Sequence, residues 1–234
     1  MVTPRSRTPA PPSRRGWLVP ALLLLLAAVP AVAGSLRLAE VASGVEATPD
    51  NARFLAAPWP VGLHIVGATL FCVLGAFQFS ADFRRRRPVW HRRVGWGLVP
   101  SGLVAAASGL WMNAFFALPA HDGALLGALR FLFGSAMLGS LLLGLAAVVR
   151  RDFTRHGAWM LRGYAIGMGA GTQVLTLAPW QLLLGPPQEL PRALLMGAAW
   201  VINLAVAEWI IRGGGRSAHP ASRRPSVTAS SRVA

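Results

Sequence analysis

The sequence predicts an all-α protein: a polytopic membrane helix bundle of about six transmembrane helices, with spans two to five forming the core. Three observations predict it. Of the 234 residues, 54% are hydrophobic and only 13% charged, where a soluble domain carries about a quarter charged residues. Apolar stretches of about 17 to 25 residues, the length that crosses the hydrocarbon of a bilayer, recur along the chain. All 23 basic residues are arginine, and against eight acids they leave a formal charge of +15. On a soluble chain that surplus would suggest nucleic acid. Here the arginines cluster between apolar runs, so nucleic acid is excluded as a partner and anionic membrane lipid is the partner implied. The single cysteine, Cys72, lies inside an apolar run, which leaves no disulfide framework and no cysteine-based metal site.

The six expected spans are about 17–33, 59–81, 94–117, 124–149, 163–184 and 193–211. Arg14 and Arg15 precede the first; Arg84 to Arg87, Arg92 and Arg93 separate the second from the third; Arg150, Arg151, Arg155 and Arg162 stand between the fourth and fifth; Arg212 and Arg216 follow the sixth. Loops of that kind stay inside, which places both termini in the cytoplasm and the chain in an inner membrane, a bacterial one on the resemblance given below. Trp17, Trp59, Trp90, Trp96, Trp159, Trp180 and Trp209 fall near span ends, where an interfacial aromatic belt belongs. The first span has two readings, a retained anchor or a secretory signal cleaved after Ala33 in "AVAGS". Residues 1–15 and 213–234, rich in Pro, Ser, Gly and Arg, read as disordered on either side of a transmembrane domain, 16–212.

Spans two to five hold an internal echo. An apolar span, an arginine pair and a histidine opening the next helix occur in "LHIVGATLFCVLGAFQFSADFRRRRPVWHRRVG" and again in "LRFLFGSAMLGSLLLGLAAVVRRDFTRHGAWMLRG". If the second is a structural copy of the first, His91 and His156 correspond.

Histidine is the main candidate for chemistry. His64 and His121 lie toward the outer side, His91 and His156 at the inner starts of spans three and five. Helical spacing sets each of His64, His91 and His156 above a stripe of small residues: Gly75 below His64; Gly95, Gly102 and Gly109 below His91; Gly163, Gly167 and Gly171 below His156. Such stripes serve close helix packing. They also make room for a flat cofactor, and haem needs imidazoles from facing helices and cations for its propionates. Arg92, Arg93, Arg155 and Arg162 are placed to supply those cations. His91 and His156 are the expected haem-iron ligands, with His64 and His121 as a second pair; no other metal site is expected. Against this stands depth, since hydropathy leaves His91 and His156 at the interface. Arg130 is the deepest charge, expected to meet a lipid phosphate, Glu189 or a haem propionate, or to snorkel outward. Glu208 and Arg212 are spaced as a helix pair, and Gln78, Asn113, Thr172 and Gln173 suit interhelical hydrogen bonds or a polar pathway.

The histidine order across spans two to five resembles cytochrome b561-like proteins, which implies two bis-histidine haems. A closer resemblance rests on "LHI" at 63–65, "LGAFQFS" at 74–80, "RRRRPVWHRR" at 84–93 and "RHGAWMLRGYA" at 155–165. These segments resemble the predicted bacterial membrane proteins called domain of unknown function 2306, over about 59–184. Relatives usually follow the second histidine with arginine, whereas Gly157 follows His156 here.

Two functions remain open at this stage. One is electron transfer by haem b, making the chain at most a membrane redox component. The other is a protein with no cofactor, whose arginine-rich loops bind anionic lipid or a partner protein. Transport of a small solute is a third reading, set aside because no broken helix or buried charge pair is evident in the pattern. The sequence names neither a redox partner nor an oligomeric state.

Overall fold

The computed structural model describes residues 14–119 and 121–216, and these are helical throughout apart from turns, with no strand among them. The helices are α1 (Arg14–Ala42), α2 (Ala52–Ala56), α3 (Pro58–Gln78), α4 (Ala81–Arg86), α5 (Pro88–Phe115), α6 (Ala124–Val149), α7 (Phe153–Gly167), α8 (Gly169–Leu184) and α9 (Glu189–Arg216). Of the two segments expected to be disordered, residues 1–13 and 217–234 lie outside the described residues. α9 continues three residues beyond Gly213.

Among the described residues, five single helices are long and apolar enough to cross a membrane: Gly16–Ala42, Pro58–Gln78, Pro88–Phe115, Ala124–Val149 and Glu189–Gly213. The fifth expected span, 163–184, departs from a single rod. It is split between α7 and α8 at Met168, inside the run "GMGAG". The Ala165 carbonyl, which Gly169 would bond in an unbroken helix, accepts instead from Asn203 Nδ2 of α9 at 3.0 Å. Asn203 Oδ1 in turn accepts from Thr172 Oγ1 at 2.9 Å. The break is tolerated because neighbouring side chains serve the freed backbone. Gly171 is required there, since a Cβ would collide with the Leu26 backbone carbonyl of α1.

Chain punctuation explains the other boundaries. Pro88 opens α5 at a position where the missing N–H costs nothing. Ser80 caps α4 by accepting from Phe83 N–H at 3.3 Å, and Asp152 caps α7 by accepting from Arg155 N–H at 3.0 Å. Arg151, at φ +61°, turns the chain between α6 and α7.

α3 packs on α5, α6 on α7, α5 on α6, α8 and α7 on α9, and α1 against α3 and α8. The core at their meeting holds Phe71, Leu98, Phe133, Met137, Leu141, Tyr164 and Ile166. Outward-facing Trp59, Trp96, Trp209, Leu182 and Leu183 are more than three-quarters exposed, as a bundle bathed in hydrocarbon rather than water permits. One end of the bundle gathers the starts of α1, α5 and α7 with Arg84 to Arg87, Arg92, Arg93 and Arg155. Ser80 Oγ ties the α3–α4 turn there to the Gly16 carbonyl at 3.1 Å. The opposite end gathers the α1–α3 connection, α2, the α5–α6 turn and the start of α9, tied by Asp122 to Arg192 at 2.6 Å.

Candidate functional site

At the arginine-rich end, α5 and α7 begin alike. His91 and His156 are each the fourth helical residue, and each backbone N–H bonds the residue before its helix, Arg87 O at 3.0 Å and Asp152 O at 2.9 Å. The correspondence suggested by the sequence echo therefore exists locally. It does not extend to the linkers, because α4 has no counterpart between α6 and α7. His156 Nδ1 lies 2.9 Å from the Gly144 carbonyl of α6. A carbonyl only accepts, so Nδ1 carries a proton, and Nε2 is the ring nitrogen left to other partners. His91 is within electrostatic range of His156 and Arg84. Its Nδ1 is buried without a partner, as is Gln78 Oε1, although Gln78 Nε2 reaches the His91 carbonyl at 3.5 Å.

The glycine stripes beneath these histidines are largely filled by the protein itself. Cβ atoms on Gly75, Gly102, Gly163 and Gly167 would strike the side chains of Tyr164, Phe71, Leu141 and Phe71 respectively, and Gly144 is covered by Met160. Gly95, one turn below His91, faces open space. Deep in the bundle the small residues thus serve helix packing, while Gly97 and Gly157, like Gly95, meet nothing within 4 Å.

The arginines divide. Arg92, Arg93 and Arg155 are exposed, Arg155 with Asp152 at 3.4 Å. Arg162 is committed elsewhere, donating from Nε to Glu208 Oε1 at 2.5 Å and from its NH2 to Oε2 at 3.1 Å, with its guanidinium 4.6 Å from the Trp159 ring centre. The i,i+4 spacing of Glu208 and Arg212 suggests a pair within α9, but the fork of Arg162 takes both carboxylate oxygens across helices.

At the opposite end a cavity of about 390 Å³ opens between α2, α3, α5, α6, α7, α8 and α9. Arg53, His64, Asn113, Asp122, Arg130 and Gln173 contribute its polar lining, and Gly167 and Ala170 bring the α7–α8 break to its wall. His64 Nδ1 is 2.8 Å from the Ala105 carbonyl. His121 is exposed in the α5–α6 turn and does not line this cavity, so His64 and His121 are not brought together. Arg130 snorkels toward the turn, where its guanidinium meets Asp122 at 2.7 Å, and Arg192 holds the other carboxylate oxygen at 2.6 Å. Burial of Asp122, whose side chain is 1% exposed, would by itself raise its pKa; the hydrogen bonds and charges of Arg192 and Arg130 outweigh that and hold the carboxyl below the ordinary carboxylate range. A broken helix and a buried charge cluster are therefore both present, which removes the ground on which solute transport was set aside.

Residues 61–211 match the family described as "Predicted membrane protein (DUF2306)". The chain belongs to this family. The DUF2306 match reaches beyond the expected 59–184 and takes in most of α9, whose Arg192, Asn203 and Glu208 anchor the other helices. No curated protein and no solved structure matches the chain.

In this DUF2306 chain, sequence reasoning missed Asn203 and the pairing of Asp122 with two arginines. Asn203 interrupts the apolar run "WVINLAV", and an isolated amide at membrane depth is the signal that could have found it. Nothing in the spacing of Arg130, Asp122 and Arg192 marks them as neighbours, because they come from separate elements. Of the amides and hydroxyls expected to bond between helices, Asn113 reaches the Gly127 carbonyl at 2.9 Å and Thr172 reaches Asn203.

Proposed function

We propose that this DUF2306 protein is a membrane electron-transfer component that holds haem b between α5 and α7 on His91 and His156. The observation that carries this reading is the pair itself: two imidazoles in matching positions on different helices, one bonded through Nδ1 to the Gly144 carbonyl, the other with a buried Nδ1 that has no partner among the described residues. Haem bound there would supply a one-electron carrier whose potential its axial ligands set. Arg92 and Arg93 are exposed at the arginine-rich end, where propionates would lie, whereas Arg155 is paired with Asp152 at 3.4 Å. Arg162 and Arg130 are engaged by Glu208 and Asp122, so neither is assigned to a propionate. His64 and His121 are assigned to no second haem. By the positive-inside rule the arginine-rich end belongs on the cytoplasmic face of a bacterial inner membrane.

The exposed arginines favour a second reading, a protein without cofactor whose rim binds anionic lipid. One experiment separates the two. The chain, expressed with ample haem and purified in detergent, is expected to show a Soret band and sharp reduced α-bands that the His91→Ala, His156→Ala double variant lacks. A colourless wild-type protein, or a spectrum unchanged in the double variant, would overturn the haem assignment.

A further inference from the structure

The cavity at the end opposite the arginine-rich turns plays no part in the haem reading, and its chemistry points to a ligand of its own. Its walls are mainly apolar, with Phe71, Met137 and Trp200 at depth. Its volume, about 390 Å³, falls within the range of roughly 300–1,000 Å³ usual for small-molecule sites. Most polar groups on its wall are already matched. Arg130 is held by Asp122, and Asp122 by Arg130 and Arg192.

Arg53 and Gln173 each donate one long bond, to the Ala117 and Met196 carbonyls at 3.4 and 3.5 Å, and two acceptors further in have no donor among the described residues. His64 gives its Nδ1 proton to the Ala105 carbonyl, so the neutral ring offers the cavity a lone pair at Nε2. Asn113 spends its amide N–H on the Gly127 carbonyl at 2.9 Å, which settles which way the amide faces, and its Oδ1 is buried with no donor. A buried acceptor left without a donor is costly, so a ligand that brings donors to both gains what the wall otherwise forfeits. The charge around the mouth narrows the class. Arg53, Arg130 and Arg192 outnumber Asp122 and the exposed Glu189 beside Gly123, which disfavours an ammonium as the donor. We infer that the cavity binds an uncharged hydrophobic molecule bearing hydroxyl donors, for which an alkylated hydroquinone is the membrane-soluble form, with His64 Nε2 and Asn113 Oδ1 as the accepting groups.

The full chain in detergent, kept anaerobic, tests this by calorimetry and thermal shift against three probes: a decyl-substituted hydroquinone, its dimethyl ether and the matching quinone. The hydroquinone is expected to bind at least tenfold more tightly than either of the others, because only it donates. His64→Leu should cut that preference at least threefold, leaving only what Asn113 Oδ1 accepts. The wild-type comparison stands even if the variant fails to fold. Equal binding of hydroquinone and ether would mean that water serves both acceptors and the cavity selects shape alone, and no binding of any probe would mean that it is not a ligand site. Either result overturns the proposal. The outcome is independent of the haem spectrum, so each assignment can fail without the other.

Discussion

Asp122 shows how much a single side chain carries in this bundle. Its carboxylate is almost fully buried and bridges two guanidinium groups, from α6 and α9, at the turn that closes the cavity mouth. Removing one member of such a cluster leaves the others unpaired, which costs more than the cluster contributes net. Asp122→Asn is expected to destabilise the protein by about 3–5 kcal/mol at neutral pH, read as a lowered unfolding midpoint in detergent. Because the native carboxyl titrates below its unfolded value, the stabilisation is complete above the ordinary carboxylate range and is lost as pH falls through the lower native value. The gap between wild type and variant should therefore shrink below about pH 4. A gap that stays constant down to strong acid would show that the charge of Asp122 does not link the helices. None of this was legible beforehand, since Asp122 reads in sequence as one acid in a polar turn.

The α7–α8 break is the feature at the scale of elements that sequence patterning misread. Hydropathy averages over a window, and residues 163–184 stay apolar through the break, so the span looked continuous. Gly167 and Gly171 of "GMGAG" belong to the expected stripe and do pack, Gly167 against the Phe71 ring and Gly171 against the Leu26 backbone, while Gly169, outside that stripe, lies against the Trp200 indole. That close approach is what holds α8 in place while Asn203 serves the freed Ala165 carbonyl. Gly171→Ala drives a methyl group into a backbone carbonyl that has no flexible end to move, and overpacking of this kind costs about 1–3 kcal/mol. Gly213→Ala is the control. It meets nothing within 4 Å and sits in a helix, where alanine is favoured over glycine by about 0.5–1 kcal/mol. Thermal unfolding of the two variants in parallel should move in opposite directions. A Gly171→Ala protein as stable as wild type would mean that α8 can shift and the break is not held as described.

For the whole molecule, the separation of two ends organises both proposals. The arginine-rich end holds the His91–His156 pair and the opposite end holds the Asp122 cluster and the cavity, so orientation in the membrane decides which compartment each one faces. Cys72 is the only cysteine, with its Sγ 3.6 Å from the Gly167 carbonyl. In a Cys72→Ser background, single reporters at exposed Ser43 and Thr154 mark the two ends. A membrane-impermeant maleimide added to intact cells is expected to label Ser43→Cys directly and Thr154→Cys only after lysis. The reverse pattern would invert the molecule and place the histidine pair outside.

Fold class, helix number to within the broken span, and the gathering of arginines at alternate turns were all readable from the chain alone. Hydrophobicity and charge act nearly additively along a sequence, and a bilayer converts them into depth and side without reference to neighbours. Partner choice was not readable. Whether Arg162 meets Glu208 or a cofactor, whether His64 faces His121 or a cavity, and whether a glycine stripe is vacant or filled by Phe71 depend on the rotation of each helix about its axis. That rotation changes by about 100° with every residue, and only packing of all the helices together sets it.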